Sequence, residues 1–173
     1  KLSGDSDDNV ATMASAGGIR PLVAMLTSES ASGQAYSATV LADMAAKSKR
    51  NRNLILNDGA HVPLIGLVEK ASDPNAKAEA AGALLSLCAG HPDTQKLVAE
   101  AGAIKPLVAL LGEDHDVARR KAAGAIAALS FAMVENQDTV EKFSGIGKLV
   151  GLLADSVSDD VRAEAASALA VLA

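Results

Sequence analysis

A motif that recurs about every 42 residues constrains this 173-residue chain more than any other feature. Its copies read GGIRPLV at 17–23, GAHVPLI at 59–65, GAIKPLV at 102–108 and, shortened, GIGKLV at 145–150. Two series of apolar residues keep this period: Leu22, Leu64, Leu107 and Leu149, and also Leu41, Leu84, Ile126 and Leu169. Such a period is typical of helical solenoids and β-propellers. Propeller blades need alternating strands with aromatic residues, and only 2% of this chain is aromatic, so we predict a helical solenoid.

Each unit is predicted to contain three helices, which in the third copy span about 93–101, 103–111 and 116–132. Gly102 suits a left-handed C-terminal cap of the first helix. Pro106 falls in the first turn of the second helix, where a missing N–H costs little. Asp116 is the predicted N-cap of the third helix, as Asp73 before Pro74 is in the second copy.

These features resemble the armadillo-repeat family, in the Gly–x–Ile/Val–x–Pro–Leu–Val/Ile opening of the second helix and the Ala–x–x–Ala–Leu stripe of the third. The resemblance implies an all-α, right-handed superhelix with three helices per repeat. We predict one solenoid over 1–173, with repeats at about 5–48, 49–90, 91–133 and 134–173. The fourth repeat departs from the pattern because it lacks the proline and is one residue shorter.

The two ends of the chain lack the polar outer face of a capping repeat. Residues 1–3 are interpreted as the tail of a preceding third helix, followed by a first short helix near Asn9. We therefore expect a piece of a longer array, with neighbouring repeats or partner chains covering both ends. A natural domain whose ends are covered by a partner is the alternative.

The resemblance also implies where a partner binds, because third helices line the concave face in this family. Its peptide-binding members carry Trp, and four residues later Asn, on each third helix. The Trp sites here hold Thr39, Gly82, Gly124 and Ser167, and the Asn sites hold Asp43, Ser86, Ala128 and Val171. Glycine and alanine can neither stack on a lysine stem nor hold a peptide backbone. Importin-like nuclear transport therefore lacks its chemical basis.

Residues three and four positions before each Trp site also face inward on a helix. With them, the predicted partner-binding groove comprises Tyr36, Thr39, Asp43, Glu79, Gly82, Ser86, Arg120, Lys121, Gly124 and Glu164. Tyr36 is the main candidate anchor, because aromatic residues dominate binding energy at interfaces. The alternative for Tyr36 is half-buried packing on the next repeat. For Glu79, Lys121 and Glu164, a solvated face is the simpler interpretation.

One basic cluster stands out, in the predicted loop after the first third helix: Lys47, Lys49, Arg50 and Arg52. Such a cluster can contact a phosphate, an acidic partner or an anionic lipid head group. Cations at a helix C-terminus that continue into a solvated loop are the favoured interpretation.

No arrangement of residues in the sequence points to catalysis, a cofactor or a metal. The loop Glu113–Asp116 is the one local metal-like cluster, and we predict a solvated loop, because adjacent residues rarely converge on one ion. Cys88 is predicted to be a small core residue. The net charge of −5 and the few aromatic residues argue against nucleic acid. No apolar run approaches the roughly 20 residues that span a membrane.

We therefore expect a non-catalytic scaffold or adaptor that binds an extended or helical segment of another protein along the groove. The expected location is the cytoplasm, with the nucleus or the cytoskeleton as alternatives. A competing hypothesis is the substrate-recruiting region of a larger enzyme, because the chain is similar to the armadillo arrays of plant U-box ubiquitin ligases, which also lack most of the Trp–Asn ladder.

Overall fold

The computed structural model describes residues 3–154 and 158–173, with side chains from Asn9 onward, and these residues form α-helices without a strand. The helices are α1 (Ser3–Ser15), α2 (Ile19–Met25), α3 (Ala31–Lys47), α4 (Lys49–Asn57), α5 (His61–Lys70), α6 (Pro74–Cys88), α7 (Pro92–Glu100), α8 (Ile104–Leu110), α9 (Asp116–Ser130), α10 (Val134–Lys142), α11 (Gly145–Gly151) and α12 (Asp159–Leu172). They follow one another as triplets, so the predicted all-α solenoid with three helices per repeat is confirmed.

The third helices of successive repeats pack side by side, in the order α3, α6, α9 and α12, and each second helix packs behind its own third helix. The two predicted apolar series supply much of the shared core. Leu41, Leu84 and Ile126 are buried on the third helices, and Leu64 and Leu107 are buried on the second helices. The second and third repeats thus bury both positions, whereas Leu22 in the first repeat and Leu169 in the fourth are half-buried. Full burial of one such side chain is worth about 1.5–3 kcal/mol.

Helix ends are fixed where the sequence predicts caps in the second and third repeats. The Asp73 carboxylate accepts a hydrogen bond from the backbone N–H of Asn75 at 3.0 Å, and Pro74 opens α6. Gly102 has a φ of +90°, which is the left-handed conformation predicted for it. In the fourth repeat, Ser144 takes the corresponding place with a φ of +61°.

The third helix of the third repeat begins at Asp116, as predicted, but its predicted N-cap was wrong and it ends before the predicted residue 132. His115, and not Asp116, is the N-cap of α9, because His115 Nδ1 accepts a hydrogen bond from the backbone N–H of Ala118 at 3.2 Å. Asp116 is the first helical residue instead. The helix ends at Ser130 rather than Ala132, and Ala132 turns the chain with a φ of +57°.

The first helix also differs from its prediction. Ser3 belongs to α1, which continues without a break to Ser15, so Ser3 is not the tail of a preceding helix. Lys1 and Leu2 lie outside the described residues. Within 3–154 and 158–173, no helix combines the length and the apolar character needed to cross a membrane.

Candidate partner-binding groove

Three of the four Trp sites of the groove, Thr39, Gly82 and Gly124, are contacted by side chains from the next repeat. We call Glu79, Lys121 and Glu164 the cross-repeat side chains, because they share one position in repeats two, three and four. Glu79 accepts a hydrogen bond from the Thr39 hydroxyl at 2.9 Å. A Cβ atom added to Gly82 would lie 3.1 Å from Lys121 Cδ, and one added to Gly124 would lie 2.9 Å from Glu164 Oε1. The glycines therefore leave the space that these side chains fill.

Two of the cross-repeat side chains also neutralise each other. Lys121 Nζ lies 2.7 Å from Glu79 Oε2, and the two side chains are only 20% and 26% exposed. Glu79 thus accepts from both Thr39 and Lys121, which links three successive third helices through polar contacts. A freely solvated face was the simpler interpretation of Glu79 and Lys121, and it does not hold for this pair. Glu164 has no ion-pair partner among the described residues.

Tyr36 occupies the same repeat position as the cross-repeat side chains, yet it is 72% exposed. Tyr36 does not pack on the second repeat, and the described residues contain no preceding repeat whose Trp site it could cover. An exposed tyrosine presents a large apolar face together with a hydroxyl group, which suits binding to another protein. Its role as an anchor stays a prediction.

The Asn sites form a second row along the third helices, the C-terminal row, which consists of Asp43, Ser86, Ala128 and Val171. At its far end lies a shallow cleft of about 280 Å³, with apolar walls that include Leu85, Ala127 and Phe131. Phe131 is 62% exposed at the C-cap of α9. The sequence analysis missed Phe131, although an aromatic residue where the second repeat has Ala89 was a visible signal.

The remaining predicted groove residues differ in their surroundings. Asp43 is exposed, and Ser86 is half-buried. Arg120 is also half-buried, and it makes no ion pair or hydrogen bond through its side chain within the described part of the chain. Among the described residues, Arg120 is thus an unpaired cation of the groove.

The basic cluster does not form a loop. Lys47 ends α3, Ser48 is the one residue between helices, and Lys49 and Arg50 open α4. These three cations are exposed. Arg52, in contrast, is only 8% exposed, and its Nη2 donates a hydrogen bond to the carbonyl of Ala45 at 2.9 Å. The structure therefore separates Arg52 from the surface cations with which the sequence groups it.

The charged groups of the loop Glu113–Asp116 form ion pairs within the third repeat and with the second repeat. Glu113 pairs with Lys77 of the preceding repeat at 2.5 Å. Asp114 and Asp116 lie 3.4 and 3.3 Å from the guanidinium nitrogens of Arg119. With His115 acting as the helix cap, each group of this loop has a structural contact. In the ranges that the structure describes, no cluster of His, Cys, Asp and Glu has a metal-binding arrangement.

Cys88 is fully buried in α6, as predicted for a core residue. Burial raises the pKa of its thiol to about 12, although the nearby Arg52 opposes this shift. A thiol with such a pKa carries almost no thiolate near neutral pH, so it is a poor nucleophile.

Known proteins resemble this chain in part of its sequence and in most of its fold. The family model of the armadillo/beta-catenin-like repeat matches residues 6–46. Protein CELLULOSE SYNTHASE INTERACTIVE 3 of Arabidopsis thaliana is 34% identical over 91 residues, which cover 53% of this chain and 4% of that protein. This chain therefore corresponds to a small part of that relative.

Two solved structures of engineered proteins have the same fold over nearly the whole chain. The crystal structure of one engineered protein is 31% identical with a TM-score of 0.88, covering 95% of this chain and 67% of that one. A structure of computationally designed armadillo repeat proteins for modular peptide recognition is 25% identical with a TM-score of 0.87, covering 95% and 68%. The helix triplets, the matched repeat and these structural likenesses together show that the chain belongs to the armadillo-repeat family.

Proposed function

We propose that this chain is a non-catalytic interaction module that binds a segment of a partner protein along the groove of its third helices. The observation that carries the proposal is the placement of the aromatic residues. The chain has three aromatic residues, and two of them, Tyr36 and Phe131, are largely exposed on or at the end of third helices. Exposed aromatic anchors are the usual centres of binding energy at protein interfaces.

The cross-repeat side chains decide which part of the groove is open to a partner. A ligand at the Trp sites has to displace Lys121 from Gly82 and Glu164 from Gly124. The C-terminal row needs no such displacement, and its small residues let another backbone approach closely. Third helices lie roughly 8–10 Å apart and an extended chain advances about 3.3 Å per residue, so each repeat spans about three ligand residues. We therefore propose that the partner lies along the C-terminal row and, in the first repeat, extends along α3 from Asp43 to Tyr36, which lies seven residues earlier on the same helix face.

The similar proteins support protein binding as the role of this surface. The designed armadillo repeat proteins serve modular peptide recognition, and the name of the Arabidopsis relative describes an interaction with cellulose synthase. In this chain, the absent Trp–Asn ladder argues for a binding mode other than that of importins. A partner met in the cytoplasm is the simplest setting, and localisation of the tagged chain in cells tests this part of the proposal.

Site-specific photo-crosslinking tests the groove directly. A benzoylphenylalanine is placed at position 36 or 131 in the groove and, as matched controls, at position 62 or 134. Val62 and Val134 are also large exposed apolar residues, but they lie on α5 and α10, outside the third helices. We expect the same partner to be crosslinked from 36 and 131 and not from the controls. The proposal is contradicted if position 62 crosslinks the partner equally well. It is also contradicted if positions 36 and 131 give no crosslink in an extract in which a control position does.

A further inference from the structure

A second cavity lies away from the third-helix groove, where the N-terminal ends of α4 and α7 meet. It measures about 210 Å³ and is lined by Lys49, Arg52, Asn53, His91, Pro92, Asp93 and Thr94. Two permanent cations thus face a single carboxylate, that of Asp93. Lys49 forms no ion pair or side-chain hydrogen bond among the described residues, so the cavity carries an excess of positive charge.

The buried Arg52 has a charge that its structural role does not require. In the register of the repeats, Arg52 corresponds to Gln95 and Gln137, which lie 43 and 85 residues later. Gln137 donates through its neutral amide to the carbonyl of Ser130 at 3.1 Å, the counterpart of the contact between Arg52 and Ala45. A glutamine therefore suffices to cap this carbonyl.

The charge of Arg52 is costly where it lies. Burial is the main cause that lowers its pKa from the ordinary value, and no carboxylate of the described residues pairs with it. Its Nε atom is buried without a hydrogen-bond partner. A buried charge without a counterion is destabilising, and an unsatisfied charged donor costs more than a neutral one. An anion bound in the cavity would supply the missing countercharge for the guanidinium group.

The first turn of α4 adds to the positive potential. Helix N-termini carry a partial positive charge and favour acidic residues. The corresponding helices follow this rule, with Asp93 in α7 and Glu135 in α10. The first turn of α4 has no acidic residue and contains Lys49 and Arg50 instead. The dipole and the side chains thus reinforce each other, as at anion-binding helix ends.

His91 lines the cavity, and its pKa responds to the positive charge there. Its pKa is lowered by burial first and then by the charges of Arg52 and Lys49. The charged groups around it are these two cations and the Asp93 carboxylate, because the thiol of Cys88 stays neutral with its pKa of about 12. An anion in the cavity would offset the two cations and let His91 accept a proton more readily.

We propose that this cavity binds a doubly charged tetrahedral oxyanion of the phosphate and sulfate class, held by Lys49, Arg52 and His91. Lys49 contributes a mobile ammonium group at the rim, and Arg52 contributes a fixed guanidinium at the base. The site is independent of the third-helix groove, so its test and that of the proposed function are separate.

Sulfate is the probe, because it keeps both charges between pH 5 and 8 and any pH dependence then belongs to the protein. NMR titration of the intact chain at constant ionic strength should give saturable shifts of the His91 ring and of the Lys49 and Arg50 amides. Arg52→Gln, which copies the residue of the other repeats, and Lys49→Gln should each weaken binding about tenfold. Asp93→Asn should strengthen it, because the competing carboxylate is removed.

Lys105→Gln is the matched control, since Lys105 is exposed on α8 and outside the cavity. It should leave sulfate binding unchanged. Sulfate should also raise the pKa of His91, so binding should tighten as the pH falls through that pKa. Binding to Lys49→Gln with wild-type affinity, or the absence of saturable shifts in the wild type, overturns the proposal. If Arg52→Gln loses helicity, sulfate binding by Lys49→Gln still tests the proposal, because Lys49 is exposed and its replacement leaves the core intact.

Discussion

Alanine at Gly145 should destabilise the fourth repeat, whereas alanine at Gly147, in the same helix, should stabilise it. A Cβ atom on Gly145 would lie 2.5 Å from Val140 Cγ1, 3.0 Å from the Val140 carbonyl oxygen and 3.1 Å from Val108 Cγ2. A Cβ atom on Gly147 meets nothing within 4 Å. The two substitutions are thus identical in chemistry and opposite in their surroundings.

The magnitudes follow from two competing terms. Replacing glycine by alanine in a helix stabilises by about 0.5–1 kcal/mol, and Gly147 should gain this amount. At Gly145 the same term opposes overpacking, which costs about 1–3 kcal/mol. Val140 is fully buried and β-branched, so its side chain is stiff, and its carbonyl belongs to the backbone of α10. We expect a net loss of about 1–2 kcal/mol for Gly145→Ala.

Hydrogen exchange is the suitable measurement, because repeat proteins unfold in units that need not follow a two-state scheme. Amides of α10 and α11 should exchange faster in Gly145→Ala by a factor of about 5–30, corresponding to about 1–2 kcal/mol. Those of α4 and α5 serve as the internal reference and should be little affected. Equal protection in Gly145→Ala and Gly147→Ala would refute the steric argument.

Three further predictions concern the core and the titrating groups. Leu84→Ala should cost about 2–5 kcal/mol in urea unfolding, because it opens a cavity at a fully buried position, whereas the exposed Leu153→Ala should change stability by less than about 0.5 kcal/mol. The thiol of Cys88, with its pKa of about 12, should resist alkylation at pH 8 in the folded chain and react at once in urea; equal rates would contradict its burial. Burial also lowers the pKa of His61, so the unfolded chain binds more protons than the folded chain, and the free energy of unfolding should decrease as the pH is lowered through the ordinary histidine pKa. An NMR titration midpoint for His61 at or above about 6.5 would be inconsistent with this.

The fold could be predicted because each repeat specifies its structure with local signals. The periodic apolar residues mark which helix faces are buried, and Leu84 and Leu107 are indeed in the core. Caps such as Asp73 and the left-handed Gly102 mark where helices begin and end. Repeats contact only their neighbours, so correct local predictions add up to a correct solenoid. The left-handed conformation was predicted for Gly102 alone, whereas Gly17, Gly59 and Gly90 share it, and so do the non-glycine residues Ser144 and Ala132.

The candidate site was predicted less completely, because its contacts join different helices. Helical spacing places Glu79 and Lys121 on the inner face, but it does not reveal that they meet each other at 2.7 Å. Their contact depends on how far α6 and α9 are displaced along their axes. For Arg52 the signal was available, since the repeat register aligns it with Gln95. Grouping it with the adjacent cations concealed that signal.

The glycines at the Trp sites and the charged residues of the next repeat form one coupled feature. A Cβ atom added to Gly124 would lie 2.9 Å from Glu164 Oε1 and 3.2 Å from Leu85 Cδ2, so a larger residue there requires these two side chains to move. A tryptophan introduced at position 124 alone should therefore displace Glu164. Combining Gly124→Trp with Glu164→Ala removes the nearer of these two side chains. If Gly124→Trp alone is destabilised and the double variant is stable, positions 124 and 164 are energetically coupled. At Gly82 and Gly124, the space beside the glycine is thus occupied by a contact between successive repeats.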